Sequence, residues 1–391
     1  MRYNPARGRL APISLSPVAL LFLLGACREQ SDPGANWAAS RDSVGYRALV
    51  SAGPPCGQCI AQIPVALLGD TAGPGAVGEE AIKVVADGLG RYWVSQNHSI
   101  AVFDTSGRFI ARVGREGDGP LEFRGLARPL RIDKSGQIHV VDGSRRETAI
   151  GPAFTYLGAS HAAGIPTDLV ELPGRSEFAV SMWLATPANV GQPIHLIADT
   201  NVIRSFGMAA EQGTVATPFN SLRVIAADSW GQVLAAHPYE YRIEGWDTLG
   251  TRVAGYEGPA LNDNAVRPGE FAPDNPPPNK IHAIQMDDQD HLWILRWRRR
   301  RDWQSKMVER RDEAGSLGLA MKDPAESYQT MFTSEVDVVD LRRAVIVATE
   351  VTNDMLLGFL GKGVAFGQRY RPDGTLQVAV IRLTLRQGGK Q

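Results

Sequence analysis

Short apolar runs recur along most of the chain, and tight polar turns separate them. Four of these turns begin with aspartate and are hereafter called the Asp-turns: residues 87–90, 133–136, 228–231 and 287–290, which read Asp-Gly-Leu-Gly, Asp-Lys-Ser-Gly, Asp-Ser-Trp-Gly and Asp-Asp-Gln-Asp. An apolar run precedes and follows each turn, such as Gln-Ile-His-Val-Val at residues 137–141. Apolar runs of this length favour β-strands, and aspartate with glycine favours a hairpin between them.

The turns are regularly spaced. Asp133 follows Asp87 by 46 residues, and Asp228 follows Asp133 by 95, about twice that step. A second series of aspartate turns lies one strand pair later in each unit, at Asp104, Asp199, Asp247 and Asp312. A repeat of about 47 residues with four short strands is typical of a β-propeller blade.

Six units can be counted from their inner strands, near residues 82–94, 130–141, 168–180, 222–235, 281–295 and 355–367. The last unit supplies only three strands, and residues 63–68 at the N-terminal side are suited to be the fourth. The sequence therefore predicts an all-β fold, a six-bladed β-propeller of four-stranded antiparallel blades, with an N-terminal strand closing the last blade. Two insertions enlarge the fifth unit, one at residues 258–280 with three consecutive prolines and one that follows Trp293 and extends to Met321.

Residues 113–141 resemble an NHL repeat, in which a glycine-rich link, a strand, an Asp-x-x-Gly turn and a second strand follow one another. Over residues 60–386 the chain is similar to six-bladed, NHL-like propeller lipoproteins of bacteria. Units three and six depart from the pattern, because they carry Glu-Leu-Pro-Gly at residues 171–174 and Leu-Gly-Lys-Gly at residues 360–363.

The N-terminus has the features of an export signal. Arg2, Arg7 and Arg9 precede an apolar stretch, residues 11–24, which is too short to span a bilayer as a mature helix. The Leu-Gly-Ala-Cys that ends at Cys27 resembles the lipobox of bacterial lipoproteins, in which the cysteine carries the lipid. We expect a signal peptide at residues 1–26, a lipid-anchored tether at 27–59 and the propeller at 60–388, attached to a bacterial membrane and facing the periplasm or cell exterior.

Charge argues against a nucleic-acid partner. The chain has 41 basic and 42 acidic residues, and removal of residues 1–26, which hold three arginines and no acid, leaves 38 against 42 and a net charge of −4. Proteins that bind nucleic acid carry a basic surplus instead.

Cys56 and Cys59 form a Cys-Gly-Gln-Cys pair in a chain with the features of an exported protein. A thioredoxin-like redox motif would place one of them at the start of a helix, but Pro64 would interrupt such a helix early. We therefore predict a structural disulfide between Cys56 and Cys59.

The loops between second and third strands share one face of a propeller with the links between blades, and the Asp-turns occupy the other face. Charged and aromatic residues are concentrated in the first set, so we predict a binding face there, the alternative being an ordinary solvated surface. The candidates are Arg115, Glu116, Asp118, Arg145, Arg146, His237, Tyr239, Arg296 and Trp297. The arginine run at 296–301 could contact an anionic group, or be a strand with outward arginines and inward tryptophans.

No nucleophile elbow, zinc-protease motif or phosphate loop occurs in the sequence. Some NHL-like ring enzymes hold a channel metal with histidines and carboxylates, and His139, Asp142, His237 and His282 are weak candidates for such a zinc or calcium site. The sequence thus leaves two functions open. One is a monomeric, non-enzymatic binding or scaffold module for a protein, peptide or glycan, without a cofactor, and the other is a hydrolase or lyase with a metal in the central channel.

Overall fold

The computed structural model describes residues 44–51, 58–79, 82–184, 191–198, 201–207, 222–262, 276–311, 317–322 and 328–386. The predicted signal peptide, Cys27 and Cys56 lie outside these residues. The regular structure in the described part of the chain is β-strand, apart from two 3-10 helices at Trp303–Lys306 and Tyr328–Met331.

The N-terminal segment and the first half of the ring contain seventeen strands. The N-terminal strands are β1 (Arg47–Ala48), β2 (Val50–Ser51) and β3 (Ile60–Leu68). Blade one contains β4 (Val84–Ala86), β5 (Tyr92–Asn97), β6 (Ser99–Phe103) and β7 (Phe109–Val113), and the link after it contains β8 (Arg115–Glu116) and β9 (Glu122–Phe123). Blade two contains β10 (Leu126–Ile132), β11 (Ile138–Val141), β12 (Arg146–Ile150) and β13 (Tyr156–His161), and blade three contains β14 (Asp168–Glu171), β15 (Phe178–Ser181), β16 (Ile194–Ala198) and β17 (Asn201–Phe206).

The second half repeats this order with one insertion. Blade four contains β18 (Val224–Ala227), β19 (Val233–Ala236), β20 (Arg242–Trp246) and β21 (Arg252–Glu257). Blade five contains β22 (Lys280–Met286), β23 (His291–Arg299), β26 (Phe332–Asp340) and β27 (Val345–Val351), with the inserted pair β24 (Met307–Arg311) and β25 (Leu317–Met321). Blade six contains β28 (Met355–Gly361), β29 (Val364–Tyr370) and β30 (Leu376–Leu385).

The first strand of each blade contacts the first strands of both neighbouring blades, from β4 through β10, β14, β18, β22 and β28 back to β4. The six blades therefore form a closed ring around an axis. Strand β3 pairs antiparallel with β30 from Ile60↔Leu385 to Leu68↔Val378 and completes blade six. The predicted fold, including closure by an N-terminal strand, is confirmed.

The prediction for blade five was wrong in one respect. The turn at Asp312 was predicted to join its third and fourth strands, but the strands on either side of residues 312–316 form the separate hairpin β24–β25. Strand β26 takes the third position, because it pairs with β23 over nine residues, from His291↔Asp340 to Arg299↔Phe332.

Part of the predicted tether belongs to the propeller. Strand β1 pairs parallel with β21 of blade four, and β2 pairs parallel with β27 of blade five. Tyr46 donates its hydroxyl hydrogen bond to Glu244 Oε1 at 2.6 Å, and Leu49 is buried in the apolar cluster between these blades. Burial of Leu49 and the pairing of two outer edges hold this segment in place.

Replacement of Leu49 by alanine should lower the free energy of unfolding by about 2 kcal/mol, because a buried leucine side chain is truncated. Val50 is the matched control, since it is 56% exposed and its replacement should change stability by less than about 0.5 kcal/mol. Urea unfolding of both variants measures the difference. Equal effects of the two replacements would show that residues 47–51 do not pack on the ring.

Apolar clusters fill most of the interfaces between blades. They join blades one and two, three and four, four and five, five and six, and six and one. At the interface of blades two and three, the cluster found among the described residues draws its members from blade three alone, including Phe178, Val180 and Met182. This interface is therefore packed differently from the other five.

Candidate functional site

The Asp-turn carboxylates are engaged within their own turns. In each turn one oxygen accepts hydrogen bonds from the backbone N–H groups two and four residues later; for Asp87 these are Leu89 and Arg91 at 3.0 and 2.8 Å. Asp133, Asp228 and Asp287 repeat this geometry. The repeated aspartate therefore stabilises hairpins.

The residue six positions after the turn aspartate distinguishes the blades. It is Trp93 in blade one and Trp293 in blade five, and each indole Nε1 donates a hydrogen bond to the second oxygen of its own aspartate, at 3.0 and 2.9 Å. Blade four has Leu234 there. Blade two has His139, whose Nε2 lies 3.2 Å from Asp133 Oδ2. The imidazole thus keeps the hydrogen bond of the indole but fills less space.

A cleft of about 600 Å³ opens at this position, between blades two and three and toward the Asp-turn ends. Blade two supplies Arg131, Asp133, Lys134, Ser135, His139, Glu147, Ala149, Gly158, Ala159 and Ser160, and blade three supplies Glu171, Arg175, Ser176, Glu177 and Phe178. The lining positions on β12 and β13 hold small residues or Glu147, so no large apolar side chain from these strands fills the space.

A connected group of charged side chains forms the wall of the cleft. His139 Nδ1 lies 2.8 Å from Glu147 Oε1, and the guanidinium of Arg131 lies 3.6 Å from the same oxygen. Arg131 also lies over the Phe178 ring, 4.7 Å from its centroid, which links blade two to blade three. Burial alone would raise the pKa of Asp133, but hydrogen bonds from Ser135, Gln137 and His139 outweigh it and lower that pKa.

Lys134 crosses the opening of the cleft. Its ammonium group donates a hydrogen bond to the backbone carbonyl of Arg175 at 3.2 Å, joining the first turns of blades two and three. Both side chains are exposed, as are Ser135 and Ser176. The cleft is therefore accessible and offers hydrogen-bond donors, acceptors and charges of both signs.

Five residues of the predicted binding face do come together at the link between blades one and two: Arg115, Glu116, Asp118, Arg145 and Arg146. Arg115 pairs with Glu122 at 2.6 Å, and Arg124 pairs with Asp118. Arg146 donates hydrogen bonds to the carbonyls of Asp118 and Glu122. These charges stabilise the link, and Glu116 and Arg145 are exposed beside it.

The other four candidates lie at blades four and five and are largely internal. His237 lies 3.8 Å from Glu244, and burial raises the pKa of Tyr239. Arg296 is enclosed between Glu335 and Asp337, and Trp297 is 4% exposed. Strand β23 turns both side chains into the fold, which for Trp297 agrees with the alternative of a strand with inward tryptophans, and the binding role of these four candidates stays a prediction.

The weak metal candidates are not assembled into one site. His139 contacts Asp133 and Glu147, Asp142 caps the backbone of Ser144 and Arg146, and His237 contacts Glu244, whereas His282 stacks on Trp297. Across the described ranges, no group of three or more histidines, cysteines or carboxylates is arranged to hold a metal ion.

Cys59 precedes β3 and is disulfide-bonded. The predicted partner, Cys56, lies outside the described residues, as does the lipidation residue Cys27, so both assignments stay predictions. No helix among the described residues has the length and apolar character needed to cross a membrane.

Sequence reasoning missed the cleft and its residues Arg131, Glu147 and Phe178. The available signal was the position six residues after the turn aspartate, where histidine replaces tryptophan in blade two. Its meaning depends on knowing that this position faces the next blade, which the repeat alone does not show.

Residues 80–147 match a protein family described as a 6-bladed beta-propeller. No curated protein matches the chain. Among solved structures, the chain is similar to a protein of Bacteroides fragilis described as exported, with a TM-score of 0.54, 9% identity and coverage of 87% of this chain and 100% of that one.

Two further solved structures show weaker similarity. Virginiamycin B lyase from Staphylococcus aureus gives a TM-score of 0.42 at 11% identity, covering 83% of this chain and 99% of that one. A protein of unknown function from Bacteroides caccae gives a TM-score of 0.40 at 11% identity, covering 69% of this chain and 81% of that one.

The closed ring of six four-stranded blades, the family match and the similarity to the Bacteroides fragilis fold agree with one another. The chain is a six-bladed β-propeller.

Proposed function

We propose that this protein is a lipid-anchored, extracytoplasmic binding module that holds a polar peptide segment of a partner protein in the cleft between blades two and three. The observation that carries the proposal is the replacement of an interface-filling tryptophan by His139, which leaves an accessible cavity where two other blades are filled. The export signal, the lipobox-like Cys27 and the similarity to a protein described as exported support the location.

The chemistry of the wall favours a peptide. Hydrogen-bond donors for the backbone carbonyls and carboxylates of a peptide come from Arg131, Lys134 and Arg175. Acceptors for its amides and basic side chains come from Glu147, Glu171 and Glu177. Sugar-binding sites commonly present an exposed aromatic face, but Phe178, the aromatic residue among those that line the cleft, is 8% exposed and lies beneath Arg131. Exposed polar groups of both signs therefore fit a polar peptide better than a glycan.

Replacement of His139 by tryptophan tests the proposal. The indole has the same hydrogen-bond partner available in Asp133 that Trp93 and Trp293 use in their blades, so we expect the fold to be retained and the cleft to be filled. Peptides selected from a displayed library on the wild-type protein should bind His139→Trp at least about ten-fold more weakly in calorimetry, a loss of about 1.4 kcal/mol.

The matched control is Arg108→Trp, which adds an indole at an 85% exposed position in the outer turn of blade one. It should bind the selected peptides with wild-type affinity. Equal binding by His139→Trp and the wild type would exclude the cleft as the site. A ligand found only on a glycan array, and lost in His139→Trp, would keep the site and overturn the peptide assignment.

A further inference from the structure

The outer edge of blade two borders the cleft. Strand β13 (Tyr156–His161) pairs with β12 on one side, and no described strand lies on its other side. Five of its six residues are exposed, and Gly158 is half-buried. Gly158, Ala159 and Ser160 also line the cleft. One border of the cleft is therefore an unpaired strand edge.

The other outer strands are covered or protected. In blades four and five, the edges of β21 and β27 are occupied by β1 and β2 of the same chain, each added as a short fifth strand. Strands β7 and β17 carry Arg112 and Arg204, and β3 carries Pro64. Charged side chains and proline keep foreign strands away from a sheet edge. Strand β13 reads Tyr-Leu-Gly-Ala-Ser-His, without lysine, arginine, acid or proline, so its edge lacks this protection.

The backbone of β13 presents hydrogen-bonding groups along this edge. Ala162, directly after the strand, donates its N–H to the carbonyl of Arg145 at 2.9 Å and so faces β12. Directions alternate along an antiparallel strand, so Ser160 also faces β12, whereas the N–H and C=O groups of Ala159 and His161 point away from it. No described residue forms a hydrogen bond with these outward groups. They are placed to pair with one more strand.

The two faces of β13 differ in polarity. Ser160 lies opposite Glu147, and both line the cleft. Tyr156 lies opposite Ile150, which projects from the other face of β12 because it is three positions from Glu147. The Tyr156 side chain is 42% exposed. A strand beside β13 therefore directs alternate side chains into the polar cleft and the others toward the apolar surface at Tyr156.

We infer that the partner segment binds as an extended strand added to the edge of β13, with polar side chains in the cleft that alternate with apolar side chains on the Tyr156 side. This inference rests on the proposed function, because it takes the cleft as the site and specifies the form of the peptide. Backbone hydrogen bonds supply affinity in such complexes, and alternate side chains supply specificity. The pairing of β1 and β2 with β21 and β27 shows that outer edges of this ring accept an added strand.

The first test leaves the protein unchanged and alters the peptide. A peptide selected on the wild-type protein is methylated at one backbone nitrogen at a time. In an added strand every second N–H points to β13, so methylation at alternate positions should weaken binding at least ten-fold in calorimetry. Methylation at the positions between them should leave the affinity near that of the parent peptide. Losses without this alternation contradict strand addition.

The second test alters the edge itself. Ala159→Pro removes an outward N–H and leaves the ladder with β12 intact, because that group does not bond to β12. The preceding residue is Gly158, which has no Cβ to clash with the proline ring. We expect at least ten-fold weaker peptide binding. Ala159→Ser is the matched control, since it keeps the N–H and should bind like the wild type. Urea unfolding of both variants checks that the fold is retained.

Hydrogen exchange gives a measurement that needs no variant. The amides of Ala159 and His161 should exchange at least ten-fold more slowly when the peptide is bound, and unchanged exchange at both would overturn strand addition. Peptide binding that is lost in His139→Trp but unaffected by Ala159→Pro keeps the cleft as the site and rejects the added strand. Wild-type binding by both variants rejects the cleft and the added strand together.

Discussion

Truncation of Leu68 to alanine should lower the free energy of unfolding by about 2–5 kcal/mol, as is found for buried leucines whose site cannot collapse. Leu68 is fully buried and lies in the cluster that joins blade six to blade one. It also pairs with Val378 at the end of the β3–β30 ladder, the contact that closes the ring. Loss of its side chain therefore weakens the closure as well as the local core.

The neighbouring residue is the control. Leu67 is on the opposite side of β3 and is 41% exposed, so Leu67→Ala should change stability by no more than about 0.5 kcal/mol. Deletion of residues 60–70 removes the whole strand and should destabilise every blade in a single cooperative transition. Urea and thermal unfolding measure all three proteins, and an unchanged melting temperature after the deletion would contradict closure by β3.

Replacement of Arg296 by alanine should be equally damaging, with a loss of about 3–5 kcal/mol, because it leaves buried carboxylates without their cation. Arg296 Nη2 donates a hydrogen bond to Asp337 Oδ1 at 3.0 Å, and the guanidinium lies 3.1 Å from Glu335. Asp337 is 1% exposed and also accepts hydrogen bonds from Tyr241 at 2.6 Å and Thr349 at 2.7 Å. Burial alone would lower the pKa of Arg296, but Asp337 outweighs it and the pKa is raised.

Arg298 provides the comparison within the same arginine run. It pairs with Glu335 at 3.0 Å, but its side chain is 63% exposed, so Arg298→Ala should cost about 0.2–1 kcal/mol. Chemical denaturation of the two variants at one pH separates the two roles. Similar losses of unfolding free energy in both variants would show that the Asp337 network is solvated. An Arg296→Ala variant with unchanged unfolding free energy would show that the pair of Arg296 and Asp337 contributes nothing to stability.

The burial and ion pairs of the arginine run show which interpretation suits each residue. Arg296 is an internal residue that stabilises blade five, and Trp297 and Trp303 are buried, as expected for a strand with inward tryptophans. Arg300 pairs with Asp302 at the surface at 3.0 Å. Arg296 and Arg298 lie on the same face of β23, because side chains alternate with a period of two. They differ in exposure because β23 ends at Arg299, so Arg298 lies near the open end of the strand and Arg296 lies deeper in the blade.

Much of the fold could be predicted because its signals are local and repeated. A turn aspartate accepts hydrogen bonds from the N–H groups two and four residues later, so the whole interaction lies within five residues. The residue types of that short segment therefore identify a hairpin wherever they occur. Counting the inner strands, four of which end in such a turn, gave six blades, and the missing strand of the last blade indicated that residues 63–68 close the ring. The structure extends that strand to Ile60–Leu68 and leaves the prediction otherwise intact.

The predictions that failed depend on contacts between distant parts of the chain. Residues 47–51 read as tether because they are few and weakly patterned, yet they pair with β21 and β27, about 200 and 300 positions later. The sequence at Asp312 has residue types that suit an outer turn, but β23 forms its longer ladder with β26 and not with the strand before that turn. Which strand pairs with which depends on the relative stability of all the pairings that the exposed strand edges of the fold allow.

The sequence by itself determined the ring of blades, the strand that closes it and the aspartates that stabilise its hairpins, since each follows from short-range geometry. Only the tertiary structure decided where a ligand could bind. His139 marks a cleft because blade three faces it. The cleft depends on which blades meet, and this information exists only once the ring has closed.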